Sequence, residues 1–202
     1  MKLKVCGIND AGFAVRAAEL GVNYLGFIFH SSSPRNVTVE RAAAIVAEVK
    51  ALGGVAPAPQ CVGVFVKQSA DEIVATMRAA QLDVVKLHRR ATAEDVAAIR
   101  AAGCEVWTLA GGAPGDGVLF DSSHGDGETD FRKGDYKAIL AGRIGVDGLA
   151  NALAKEPDVL DVNSTLETSP GVKAIPLLEE FLFALGRSTT RIPHSTHQDK
   201  RS

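Results

Sequence analysis

Short apolar segments alternate along most of the chain with longer alanine-rich segments in which apolar residues recur every three or four positions. The first pattern is typical of buried strands and the second of helices packed on one face. Repeated alternation of the two predicts parallel β/α units. The predicted strands are Leu3–Cys6, Tyr24–Phe29, Cys61–Val66, Val84–Leu87, Glu105–Leu109, Val118–Asp121, Ala138–Ala141 and Val159–Val162. The predicted helices are Ala11–Leu20, Val39–Val49, Ala70–Ala80, Ala93–Ala102, Val146–Ala154 and Ile175–Leu185.

Two connections are too short for a full crossover helix. Residues 110–117, after the fifth strand, are rich in Gly and Pro, and residues 122–137, after the sixth, are rich in Gly, Asp and Ser. We therefore predict a small (βα)8 TIM barrel in which the helices after strands 5 and 6 are missing or reduced. An open doubly wound sheet is the alternative. It is less favoured because the alternation suits closure and no G-x-G-x-x-G follows the first strand.

Polar residues stand where N-caps of the first four helices are expected, namely Asn9, Thr38, Ser69 and Thr92. The barrel is predicted to form a single domain over residues 1–185. Residues 186–202 are predominantly polar, and we expect them to form a disordered tail with no catalytic part.

Composition narrows the class of protein. The net charge of −2 and the lack of a basic cluster argue against nucleic acid or an anionic membrane surface as a partner. No apolar run approaches the roughly 20 residues that span a membrane. Cys6, Cys61 and Cys104 are widely spaced and match neither a disulfide framework nor a zinc site, so we expect a reducing cytoplasm.

Side chains alternate between the two faces of a strand, which predicts the residues that point into the barrel. Burying so many polar groups in a packed core would cost several kcal/mol, so a solvated functional mouth at the strand ends is predicted instead. The predicted inward-facing polar residues are Lys4, Cys6, Lys86, His88, Asp121, Asp161 and Asn163.

Cys6 draws attention because it ends a strand and Gly7 follows at once. Each candidate has an alternative role: buried packing for Cys6, a turn cap for Asp121, and positioning of its neighbours for Asp161. The position of Cys6 and Asp121 together at strand ends favours chemistry for these two.

Several motifs, in order along the chain, resemble the phosphoribosylanthranilate isomerase family of tryptophan biosynthesis. The resemblance runs from Lys2 to about Phe181 and implies a TIM barrel that carries out an Amadori rearrangement. In that reaction, N-(5-phosphoribosyl)anthranilate becomes 1-(2-carboxyphenylamino)-1-deoxyribulose 5-phosphate, with no metal or redox cofactor. The matching motifs are Lys4–Ile8, Gly26–Phe29, Ser33–Arg35, Val62–Val66, Leu119–Ser122, Asp161–Ser164, Glu167, Pro170–Gly171 and Lys173.

The resemblance implies roles for three residues. Cys6 matches the general base that removes the proton from ribose C2, Asp121 the general acid at the furanose ring oxygen, and Arg35 the residue that holds the anthranilate carboxylate. We expect further substrate contacts from Lys86, His88 and Asp161. The phosphate is expected at the loops after strands 7 and 8, as in many barrels. The residues predicted there are Gly142, Arg143, Asn163, Ser164 and Thr165.

The chain departs from the family pattern at the phosphate loops. The family usually has Gly-Gly after strand 7, where this chain has Gly142 and Arg143; the arginine would either contact the phosphate or obstruct it. The family's Ser-Ser-Gly after strand 8 is replaced by Asn163–Thr165.

A second departure lies inside the barrel. Lys86 replaces the usual Gln of strand 4, and Trp107–Thr108 replaces the usual cation of strand 5. We hypothesise that the interior positive charge has moved to strand 4. Either Lys4 or Lys86 could then favour the thiolate form of Cys6.

We therefore expect a cytoplasmic isomerase that acts on a small-molecule phosphosugar, as a monomer or homodimer. An isomerase of a related phosphoribosyl aminosugar and a non-catalytic phosphosugar-binding barrel are the alternatives.

Overall fold

A closed barrel of parallel strands is the centre of the fold. The computed structural model describes residues 1–52, 58–122 and 131–187. Within them, eight strands pair in chain order, and β1 pairs with β8 to close the barrel. This confirms the predicted TIM barrel. The strands are β1 Lys2–Cys6, β2 Tyr24–Phe29, β3 Gln60–Phe65, β4 Val84–Leu87, β5 Glu105–Leu109, β6 Gly117–Asp121, β7 Lys137–Ala141 and β8 Val159–Val162.

The outer ring of helices is incomplete, as predicted. No helix forms in residues 110–116, between β5 and β6, or in residues 131–136, before β7. Residues 123–130, in the rest of the β6–β7 connection, lie outside the described residues, and so do residues 188–202 of the predicted tail. The division at residue 185 therefore stays a prediction. The α-helices are α1 Ala11–Glu19, α2 Val39–Lys50, α3 Ala70–Ala79, α4 Ala93–Ala101, α5 Leu149–Ala154 and α6 Ile175–Ala184.

The helix caps follow the sequence with one exception. Thr38, Ser69 and Thr92 cap α2, α3 and α4. Asp10, not Asn9, caps α1: its Oδ1 accepts a hydrogen bond from the Phe13 backbone N–H at 2.7 Å. The prediction of Asn9 was wrong because the helix begins at Ala11, so the residue directly before it is Asp10; the Asn9 side-chain amide donates instead to the Gly171 carbonyl at 3.0 Å.

A short insertion between β8 and α6 was not predicted. A 3-10 turn, Ser164–Leu166, leads into an antiparallel hairpin of β9 Glu167–Ser169 and β10 Val172–Lys173. Its turn residue Gly171 has φ +87°, and a Cβ there would lie 2.5 Å from the Pro34 carbonyl oxygen. The hairpin therefore packs closely against the loop that follows β2.

The barrel interior divides into an apolar floor and a polar mouth. Along β4, Val84 belongs to the apolar interior, and the inward-facing residues that follow, Lys86 and His88, line the mouth. The aromatic rings of Tyr24 and Trp107 pack edge to face in the floor, with centroids 4.9 Å apart. Because this floor seals the lower half, the polar residues are displayed towards the C-terminal ends of the strands. The floor consists of Tyr24, Val62, Val84, Trp107, Leu119, Ile139, Ala141 and Val159.

Candidate active site

One cavity of about 420 Å³ opens at the C-terminal ends of the strands. Cys6, at the end of β1, and Asp121, at the end of β6, both line it, although they are far apart in sequence. The cavity also brings together most of the other predicted site residues. Those lining it are Arg35, Lys86, His88, Gly142, Arg143, Asp161, Asn163 and Ser164.

Thr165 is placed differently from the other predicted phosphate residues. It does not line the cavity, and its hydroxyl donates to the Ile144 carbonyl at 2.8 Å. Thr165 thereby ties the loop after β8 to the loop after β7, the two loops at which we expected the phosphate.

Two lysines and one aspartate, which we call the lower cluster, form a buried polar group that borders the cavity. Lys4 Nζ donates to both carboxylate oxygens of Asp161, at 2.8 and 2.9 Å, and Lys86 Nζ donates to Oδ2 at 2.9 Å. All three side chains are almost completely buried. Both ammonium groups thus share one carboxylate, and their hydrogen bonds to it offset part of the cost of burying the charges.

The opposite charges of the lower cluster stabilise the ionised forms of one another. Burial raises the pKa of Asp161, but the ammonium groups of Lys4 and Lys86 outweigh that effect and lower it to about 2. Burial likewise lowers the pKa of Lys4, while Asp161 and Cys6 raise it, so that it lies above its ordinary value. Asp161 is therefore ionised and Lys4 protonated at neutral pH.

Gly26 on β2 makes room for the side chains of both Lys4 and Cys6. A Cβ at this position would lie 2.9 Å from Lys4 Nζ and 3.0 Å from Cys6 Sγ. The ammonium group and the sulfur therefore share the space above one residue of the neighbouring strand. A site role for Gly26 was missed from the sequence, although a glycine inside a strand signals close approach by another group.

A second group of charges, which we call the upper cluster, consists of Arg35, Glu167 and Lys173. Arg35 donates two hydrogen bonds to Glu167, from Nε to Oε1 at 2.8 Å and from Nη2 to Oε2 at 2.6 Å. Lys173 Nζ donates to Glu167 Oε1 at 2.5 Å and to Asn163 Oδ1 at 2.8 Å. Glu167 and Lys173 matched family motifs in the sequence, but a site role for them was missed.

In the upper cluster, burial and ion pairing shift the pKa values in opposite directions. Burial raises the pKa of Glu167, but the hydrogen bonds from Arg35 and Lys173 bring it below its ordinary value. Burial lowers the pKa of Lys173, and the opposing effects of Glu167 and Cys6 do not fully restore it. Cys6 also raises the pKa of Arg35, though less than Glu167 does. The sulfur thus lies within electrostatic reach of both clusters.

The backbone of Arg143, at the rim of the cavity, has an unusual conformation. It is exposed and has φ +50°, a left-handed conformation that costs a non-glycine residue roughly 1 kcal/mol or more. The preceding Gly142 has φ +117°, and a Cβ there would lie 2.1 Å from Ser122 Oγ. The turn therefore requires glycine at position 142, whereas at 143 it tolerates a strained arginine.

Other features of the cavity were missed from the sequence. Ile28, Val64 and Val66 line the cavity with apolar side chains, and His30 adds a polar one.

In the described part of the chain, no group of three or more His, Cys, Asp or Glu side chains could hold a metal ion. Among the same residues, no helix is both long and apolar enough to cross a membrane.

Comparison with known proteins decides the family. Residues 3–184 match the sequence profile described as PRAI, N-(5'-phosphoribosyl)anthranilate (PRA) isomerase. The chain belongs to the phosphoribosylanthranilate isomerase family. A relative in this family, the N-(5'-phosphoribosyl)anthranilate isomerase of Citrifermentans bemidjiense, is 33% identical over an alignment of 196 residues; the match covers 85% of this chain and 90% of the relative.

Solved phosphoribosylanthranilate isomerases have the same fold. One, in complex with reduced 1-(o-carboxyphenylamino)-1-deoxyribulose 5-phosphate, is 25% identical with a TM-score of 0.79, and the match covers 92% of this chain and 99% of that one. Another, described as monomers of the dimeric enzyme of Thermotoga maritima, is 24% identical with a TM-score of 0.76, over 92% and 98% of the two chains.

Proposed function

We propose that this protein catalyses the Amadori rearrangement of N-(5-phosphoribosyl)anthranilate to 1-(2-carboxyphenylamino)-1-deoxyribulose 5-phosphate. The observation that carries the proposal is the presence of Cys6 and Asp121 in one cavity, on strands from different parts of the barrel. Family membership over residues 3–184 supports it. A general acid and a general base facing one sugar are what the reaction needs.

The two residues act in succession on the ribose. The Asp121 carboxyl donates a proton to the furanose ring oxygen, the C1–O bond breaks, and the nitrogen lone pair forms an iminium. The Cys6 thiolate then removes the proton from C2, and the electron pair moves through C1 to the nitrogen to give an enolamine. Tautomerisation yields the aminoketone, so C2 is oxidised and C1 reduced within one molecule.

The charge of the mouth suits a substrate that carries a carboxylate and a phosphate. Lys86, Arg35 and Arg143 line the cavity, with Lys4 and Lys173 beside it. Among the described residues these cations outnumber the carboxyl groups of Asp121, Asp161 and Glu167 at the mouth, which favours an anionic ligand there. Arg35 is the proposed partner of the anthranilate carboxylate, and the loops after β7 and β8 are the proposed phosphate site.

His88 and Asp161 also line the cavity, and we propose that they contact the sugar hydroxyls. The partner is thus a small phosphosugar, with no role for nucleic acid or a membrane. We place the protein in the cytoplasm because three free cysteines suit a reducing compartment. It acts as a monomer or a homodimer; the dimeric Thermotoga maritima relative is a precedent for the second.

Substrate fluorescence tests the proposal. The purified protein is mixed with freshly prepared N-(5-phosphoribosyl)anthranilate, and the loss of anthranilate-type fluorescence is followed with time. We expect enzyme-dependent loss together with formation of the aminoketone. Binding without any loss of signal would instead favour a non-catalytic phosphosugar-binding barrel and would overturn the proposal.

A further inference from the structure

The lower cluster contains more positive than negative charge. Asp161 is shared by two ammonium groups, from Lys4 on β1 and Lys86 on β4, and all three side chains are almost fully buried. One buried positive charge therefore has no carboxylate of its own within the cluster. An unbalanced charge in a poorly solvated site is costly, so the cluster favours an anion beside it.

The sulfur of Cys6 is in the position of that anion. Gly26 leaves one space that Lys4 Nζ and Cys6 Sγ occupy together. Cys6 is itself 5% exposed, so bulk water screens the interaction only weakly. A thiolate at this position would balance the lower cluster, whereas a neutral thiol would leave it with excess positive charge. The thiolate is also the form that acts as a base.

We propose that Lys86 is a positioning residue for the catalytic base: by engaging Asp161, it leaves the charge of Lys4 available to hold Cys6 as a thiolate. This inference rests on the proposed function, in which Cys6 removes the C2 proton. Lys86 stands where the sequence resemblance led us to expect Gln, so the arrangement is a property of this chain. Without Lys86, Asp161 would neutralise Lys4 and the advantage of the thiolate would be lost.

Other charged groups also face Cys6 and must be separated from this effect. From the upper cluster, Arg35 and Lys173 reach the sulfur electrostatically, with Glu167 between them. Those cations also bind Glu167 and, on the proposed function, the substrate carboxylate, whereas Lys4 and Lys86 of the lower cluster bind Asp161. Asp121, His30 and His88 line the same cavity. The experiment therefore changes Lys86 and keeps all of these groups.

Alkylation of Cys6 by iodoacetamide at pH 7 reports the thiolate population without requiring turnover. Labelling is measured by peptide mass spectrometry in a Cys104→Ser background. Cys61, whose pKa burial raises to about 12, stays unlabelled in any folded variant and so reports unfolding. Lys86→Gln should slow Cys6 labelling roughly tenfold. Lys86→Arg should restore it to within about twofold of wild type.

Lys67→Gln provides the matched control. Lys67 is exposed in the loop after β3, at the same end of the barrel, so its removal deletes an equal but solvated charge. Labelling should not change in this variant. With substrate, Lys86→Gln should lower kcat roughly tenfold and leave KM within about twofold. A raised KM with unchanged labelling would show that Lys86 only binds substrate, and would overturn the proposal.

A charge-conserving double variant, Lys86→Gln with Asp161→Asn, separates charge from contact. It removes one positive and one negative group, so Lys4 keeps its excess charge and labelling should return to within about threefold of wild type. If labelling of the double variant is as slow as in Lys86→Gln, the proposal fails.

If Lys86→Gln does not fold, a tenfold loss of Cys6 labelling in either the double variant or Lys86→Arg would overturn the proposal. Absence of wild-type turnover would refute the proposed function alone, because labelling is independent of turnover.

Discussion

At the scale of single residues, the site depends on what stands beside each reactive group. Cys6 has the same side chain as Cys61, but Cys61 is sealed in the outer core, where burial raises its pKa to about 12, and Cys6 lines the cavity beside Lys4. The sequence predicted the direction of Cys6 because strand alternation is a local rule. It could not predict that Lys4 contacts Asp161, since that pair is separated by 157 positions.

Cys6→Ser and Asp121→Asn should each lower kcat by about 10²- to 10⁴-fold, because each removes a group that we propose transfers a proton in the rearrangement. KM should change far less. Steady-state fluorescence kinetics with Cys104→Ser as the matched control makes the comparison, since Cys104 does not line the cavity. Retention of more than a tenth of wild-type kcat in either variant would contradict the assigned role.

At the scale of elements, regular segments were predictable and irregular ones were not. The bounds of β4, β5 and β8 agree with the pattern of apolar residues. The hairpin of β9 and β10 was missed because its strands are only three and two residues long, too short for any periodicity. That hairpin carries Glu167 and Lys173, so the upper cluster was missed with it.

The turn after β7 combines backbone strain with the proposed phosphate contact. Arg143→Gly should raise the free energy of unfolding by about 1 kcal/mol, because glycine adopts φ +50° without strain. The same change should raise KM roughly tenfold, because an exposed guanidinium at the proposed phosphate loop is lost. Urea unfolding and fluorescence kinetics measure the two effects. A KM that falls in Arg143→Gly would show instead that the arginine obstructs the phosphate.

At the scale of the whole molecule, the barrel brings polar residues from distant strands into a common interior. The ionisation of these residues then contributes to the free energy of unfolding. The pKa of Asp161 is about 2 in the folded chain, below the value of about 3.9 expected when it is unfolded. The stabilising contribution of Asp161 to the free energy of unfolding is therefore complete above about pH 4 and is lost as the pH falls towards 2.

A comparison with Asp161→Asn isolates this contribution. Wild type should be the more stable protein at pH 5, and its advantage should shrink by roughly 2–3 kcal/mol between pH 5 and pH 2. Urea unfolding of both proteins across this range measures the difference. An advantage that stays constant with pH would mean that the Lys4–Asp161–Lys86 triad does not lower the pKa of Asp161.

A crystal structure of this protein with reduced 1-(o-carboxyphenylamino)-1-deoxyribulose 5-phosphate would test whether Cys6 and Asp121 act on one sugar. We expect Cys6 Sγ to lie against C2 of the sugar and the Asp121 carboxyl to lie against the oxygen at C4, on opposite sides of one ligand. Arg35 should contact the carboxylate, and the loops after β7 and β8 the phosphate. A ligand bound so that either Cys6 or Asp121 lies out of hydrogen-bond reach of the sugar would refute the proposed acid and base.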